Sequence, residues 1–93
     1  MEKRLYMVIE RFKEGAPKAV YQRFRSSGRM LPDGLTYVSS WVEESFDRCY
    51  QLMETADAAL LQTWMEKWQD LIDFDIHGVM TSSEAAEKAK HLH

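Results

Sequence analysis

The chain has 93 residues, 45% of them hydrophobic, which is enough for one domain with a folded core. A formal net charge of −3 argues against a nucleic-acid surface, which is ordinarily basic. The single cysteine, Cys49, excludes an internal disulfide and makes a reducing cytoplasm the expected compartment.

The run RLYMVIERF (4–12) is β-branched and aromatic and is bounded by charge, so it predicts a first strand. It is too short for a signal-peptide core or a membrane span. Gly15 permits a turn and Pro17 suits a first helical turn; Pro17, Val20, Tyr21 and Phe24 then fall on one helical face. Gly28 is the expected helix stop. The basic residues Lys18, Arg23, Arg25 and Arg29 on or after this helix read as a solvated face. Residues 29–34 (RMLPDG) form a loop.

Residues 35–43 (LTYVSSWVE) and 48–54 (RCYQLME) read as a second and third strand joined through ESFD. Thr55 or Asp57 can cap a helix over 57–72, whose stripe of Leu60, Leu61, Trp64, Met65, Trp68, Leu71 and Ile72 is the clearest helical signal. Residues 73–80 (DFDIHGVM) alternate as a fourth strand. Thr81 and Glu84 make a T-x-x-E capping box that opens a short C-terminal helix.

The order β-α-β-β-α-β with an added helix, over a single domain of residues 1–93, is the α+β ferredoxin-like pattern. It predicts a four-stranded antiparallel sheet with its first and third strands central and the helices on one face. Alternation assigns Leu5, Met7, Ile9, Tyr50, Leu52, Phe74 and Ile76 to the helix-covered face, with Val38 and Val42. The far face then carries Tyr6, Val8, Glu10, Tyr37, Ser39, Trp41, Cys49, Gln51, Met53, Asp75, His77 and Val79. On the second strand both sets are mixed, and a slip of one residue exchanges them. So apolar a far face calls for a cover, and a second copy packed face to face would make a dimeric α/β barrel with a partly apolar interior.

The segments LYMVIERF, VYQRFRSSGRMLPDGLTYVSSWV, RCYQLMET and W-x-x-K-W-x-D-L-I-D-F together resemble a family of short bacterial proteins known as a domain of unknown function, within the dimeric α/β-barrel superfamily. The resemblance spans nearly the whole chain. It implies the ferredoxin-like fold and a homodimer, and it implies no activity. The wider superfamily includes monooxygenases and isomerases, but none of their motifs maps onto this chain residue by residue.

Two functional readings follow. In the first, a homodimer binds a small, partly apolar organic molecule in the barrel interior, with cofactor-free oxygenase or isomerase chemistry. Glu10 and His77 would be its acid–base groups, and Tyr6, Tyr37, Trp41 and Gln51 would line the ligand. In the second, the protein is a non-catalytic interaction or regulatory module and the open face is only a dimer interface. Glu10 and Gln51 then fix the register by hydrogen bonds, and His77 is a rim histidine. Cys49 has no local base or glycine elbow and reads as a small apolar filler. No cofactor motif is present, and the tail histidines at 91 and 93 make a poor metal site. RNA binding would need a basic-aromatic motif on the third strand, which DRCYQLMET lacks.

Overall fold

Four apolar runs form the strands of one antiparallel sheet, and the amphipathic stripes between them form helices on a single side. The computed structural model describes residues 2–92. Its elements are β1 (Arg4–Phe12), α1 (Ala16–Ser27), β2 (Leu35–Val42), β3 (Arg48–Thr55), α2 (Ala59–Met65), β4 (Ile72–Val79) and α3 (Ser82–Ala89). The sheet order is β2-β3-β1-β4, so β1 and β3 are central, as the ferredoxin-like pattern requires.

Local chemistry sets the boundaries. Pro17 stands in the first turn of α1, where its missing N–H costs nothing. Gly28 ends α1 at φ 67°, with its N–H donating to the Phe24 carbonyl at 2.7 Å. At the start of α3, the Thr81 hydroxyl accepts the Glu84 N–H at 3.0 Å.

α2 is shorter than the stripe over 57–72 predicts. After Met65 the chain tightens into i→i−3 bonds, with Lys67 N–H to the Trp64 carbonyl, Trp68 to Met65 and Leu71 to Trp68 at 2.9–3.1 Å. This turn keeps Trp64 and Trp68 on the same inward side, so the hydrophobic spacing persists while the helix does not.

The core lies between the sheet and the two crossover helices. It joins Val8, Met53, Leu35 and Ile72 of the sheet with Ala16 and Val20 of α1, Leu61 and Trp64 of α2, and Trp68 of the turn after it. Trp64 meets Phe74 edge to face, with ring centroids 5.8 Å apart. Arg23 of α1 forks onto the Asp70 carboxylate at 2.7 and 2.8 Å, which ties α1 to that turn.

The sheet's two faces are exchanged relative to the alternation assignment on β1 and β3. The covered side holds Tyr6, Val8, Glu10 and Phe12 of β1 and Cys49, Gln51, Met53 and Thr55 of β3, paired in register as Tyr6–Met53, Val8–Gln51 and Glu10–Cys49. Leu5, Met7, Ile9, Tyr50 and Leu52 therefore line the open side. On β4 the assignment holds: Phe74 and Ile76 are covered, while His77 stands on the open side beside Met7.

On β2 a bulge between Tyr37 and Ser39 resets the alternation. Tyr37, expected on the far face, packs against the core, and Val38, expected beneath the helices, is exposed. Trp41 does stand on the open side, 55% exposed, and Val42 lies on the covered one. The apolar triad of β1 was the natural choice for the core. It faces outward, and the covered side instead takes three buried polar residues, Glu10, Gln51 and Thr55, of which the first two hydrogen-bond to each other.

Candidate functional site

The site is built from the middle of the central strands and from the loop that follows α1. Glu10 and Gln51, on β1 and β3, are 4% and 7% exposed. The Gln51 side-chain amide donates to Glu10 Oε2 at 2.7 Å. At its other end Gln51 Oε1 accepts a long bond from Arg29 Nε, 3.4 Å. Cys49 stands directly opposite Glu10 across the β1–β3 ladder, so its thiol neighbours the carboxyl.

Arg29 is held in place by elements far from it in sequence. Its carbonyl accepts the indole N–H of Trp64 at 3.0 Å and that of Trp68 at 3.1 Å. Lys67 Nζ donates to the next carbonyl, that of Met30, at 3.1 Å. Met30 has φ 59°, a left-handed conformation that costs a side-chain-bearing residue about 1–2 kcal/mol. These three bonds are what hold the loop in that shape. The guanidinium lies 3.6 Å from the centroid of the Tyr37 ring and 4.9 Å from that of Phe24, which fixes its plane by stacking. The bulge in β2 lets Tyr37 and Ser40, three residues apart, face the same side, and their hydroxyls meet at 2.7 Å.

Glu10, Gln51, Arg29 and Ser40 edge a cavity of about 120 Å³ between the sheet and α1. Its walls are apolar (Phe12, Val20, Phe24, Val42, Trp64 and Trp68), and its polar groups are Glu10, Gln51, Arg29, Ser40, Cys49 and Tyr21. Phe24 and Val42, 39% and 40% exposed, stand at its rim.

Burial lifts the Glu10 carboxyl from its ordinary 4.5 to about 7, against the opposing pull of the bonds from Gln51 and Cys49 and of the Arg29 charge. Burial also pushes the Cys49 thiol from 9.0 to about 12, helped by the neighbouring Glu10. The Tyr21 hydroxyl is raised for the same reason, by burial first and by Cys49 and Glu10 next. A carboxyl poised near neutrality at the wall of an apolar cavity is equipped to donate or accept a proton.

Of the residues that the sequence marks, Glu10 and Gln51 come together in the cavity wall, on the covered side and not in a barrel interior, while Tyr37 joins them only by stacking on Arg29 behind the wall. Tyr6 shares their face but lies four residues along β1 from Glu10, about 13 Å at the rise of a strand. Trp41 and His77 stand on the opposite face, so His77 cannot share a ligand with Glu10 in one protomer. Arg29, read from the sequence as part of a solvated face, is instead a member of the site. The Trp64/Trp68 stripe, read as core, also clamps the loop that carries Arg29. Nothing in the spacing foretold this, because it depends on the i→i−3 turn after α2 aiming the second indole.

A second, wider groove of about 460 Å³ runs between the β1 and β4 ends and α3. It is lined by charges of both signs (Glu2, Lys3, Arg4, Glu54, Glu84 and Lys88) and gathers no buried polar group. Among the described residues, no group of three or more His, Cys, Asp and Glu side chains is placed to hold a metal ion. His93, one of the two tail histidines, lies outside the described residues. No helix is long and apolar enough to cross a membrane among those residues.

The family model for the domain of unknown function DUF3303 matches residues 4–93. The chain belongs to that family. No curated protein matches it. Among solved structures, the crystal structure of PA3566 from Pseudomonas aeruginosa is similar, with a TM-score of 0.55 and 14% sequence identity over 87% of this chain and 96% of that one. At that identity the likeness carries the fold and nothing about activity.

Proposed function

We propose that the protein binds a small, partly apolar organic molecule in the cavity beneath α1, and that a second copy of the chain covers the open sheet face. The observation that carries the binding reading is the buried Glu10 carboxyl. It accepts a hydrogen bond from the neutral Gln51 amide and lines an aromatic-walled cavity. Carboxyls raised by burial beside a specific partner and facing a cleft are concentrated at functional sites. If the protein is an enzyme, the chemistry this group supports is proton transfer of the isomerase kind, with Glu10 as the exchanging group and Gln51 as its positioning residue.

The open face favours the interaction reading for that side of the sheet. Leu5, Met7 and Ile9 run beside Leu52 and Tyr50, with Trp41 at one flank, and no buried polar group interrupts them. A continuous apolar stripe of this kind is costly to leave in water. An ion pair between Arg11 and Asp75 lies on the same face.

Native mass spectrometry of protein purified gently from cells tests both halves. A dimer carrying one small organic mass per protomer is the expected result. The mass should be lost in Val20→Phe, which fills the cavity without touching the open face. A ligand retained in that variant would place binding elsewhere.

A further inference from the structure

We infer that the ligand is a small monocarboxylic acid, with its carboxylate on the Arg29 guanidinium and its apolar body along the aromatic walls of the cavity. This rests on the binding reading above and goes further, to the chemical class.

Arg29 is the cation at the cavity, and its geometry is that of a receptor for a planar anion. Its Nε is directed at Gln51, its plane is fixed by stacking on Tyr37 and Phe24, and its backbone is clamped by the two indoles. Among the described residues neither terminal nitrogen has a hydrogen-bond partner, and no carboxylate forms an ion pair with it. A guanidinium fork held this way matches a carboxylate bidentately. A cavity of about 120 Å³ leaves room for a body of roughly six to ten non-hydrogen atoms.

The same arrangement makes acid binding depend on proton uptake. The titratable and charged groups that face Glu10 are Cys49 on β3, Tyr21 on α1 and Arg29 on the loop. The parts of α2, its following turn and β4 that line the cavity contribute Trp64, Trp68 and Ile72, which do not titrate. With the thiol and phenol both raised, Glu10 is the group that changes charge around neutrality. Protonated, it donates to a bound carboxylate; ionised, it repels one.

The test is calorimetric titration of the full chain at pH 6 and pH 8.5 with benzoate, cinnamate and hexanoate, each against its primary amide. At pH 6 at least one acid is expected to bind at least tenfold more tightly than its amide. That preference should vanish in Arg29→Gln and shrink in Arg29→Lys. The acid's affinity should fall about tenfold per pH unit above 7 in the wild type, and should stay level in Glu10→Gln. Amide spectra of each variant establish that it is folded. Amides that match or beat the acids overturn the acid class and leave the cavity reading standing. If no probe of either kind gives a binding isotherm, both fail. An acid preference unchanged in folded Arg29→Gln also overturns the inference.

Discussion

Gln51 and Glu10 lie diagonally across the β3–β1 ladder, both turned towards the helices, with the glutamine amide 2.7 Å from the carboxyl oxygen. This pair is the carboxyl and amide centre of a side of the sheet whose other buried polar residue is Thr55. It also sets the first prediction, because the carboxyl ionises near 4.5 in the unfolded chain and near 7 in the folded one. Between those values the folded form holds the extra proton, so stability falls as the pH rises through that window. The loss attributable to this group is about 3 kcal/mol. Glu10→Gln removes the titration. Urea unfolding at pH 5 and pH 8 should show the wild type losing roughly that much relative to the variant. Parallel dependences would contradict the buried, protonated carboxyl.

The Arg29 carbonyl takes two indole donors, and either one alone satisfies it. Trp68→Phe should therefore cost about 1 kcal/mol in hydrogen bonding at most, on top of the cavity left by the smaller ring. Trp64→Phe with Trp68→Phe should cost more than the sum of the singles, by a further ~1–2 kcal/mol, because the carbonyl is then left without a donor. A double-mutant cycle by chemical denaturation reads the coupling directly. Additive costs would show that the indoles serve only as core.

Cys49 is buried, and its thiol is pushed up to about 12. The thiolate is the reactive form, so native protein at pH 8 should react with a disulfide reagent at least about a hundredfold more slowly than urea-unfolded protein. Fast labelling of the native state would mean that the cavity admits reagent freely and that the thiol is less desolvated than its surroundings imply.

On the open face, Met7 and Leu52 sit side by side at the centre of the apolar stripe. Met7→Glu or Leu52→Glu would bury an unpaired charge in a two-copy interface. Either should weaken dimerisation by at least about a hundredfold, some 2.7 kcal/mol, while leaving the protomer folded. Light scattering across a dilution series measures it. A wild type that is monomeric at all concentrations would remove the second copy from the account.

Element order, strand identities and the central place of β1 and β3 were legible in the sequence, because each depends on local runs and turn residues. The faces of β1 and β3 were not. Leu5, Met7 and Ile9 form the more apolar of the two sets, and hydrophobic patterning alone assigns such a set to the core. The protein instead buries Glu10 and Gln51, which a pattern of polarity cannot expect when their satisfaction comes from each other across the sheet. Tyr37 was misplaced by the bulge at Val38, a one-residue event with no turn residue to announce it. Arg29 was hidden because the groups that position it lie at Trp64, Trp68 and Gln51, remote in sequence.

The central proposal is that the covered side of the sheet, and not the open one, binds a small molecule. The most direct test is a fragment screen read by side-chain and amide NMR shifts. Binding fragments are expected to perturb the Gln51 side-chain amide and the Trp64 and Trp68 indole signals, leaving Trp41 and His77 unmoved. Perturbations confined to Trp41 and His77, with the Gln51 amide and the two buried indoles unchanged, would place the site on the open face and contradict the account.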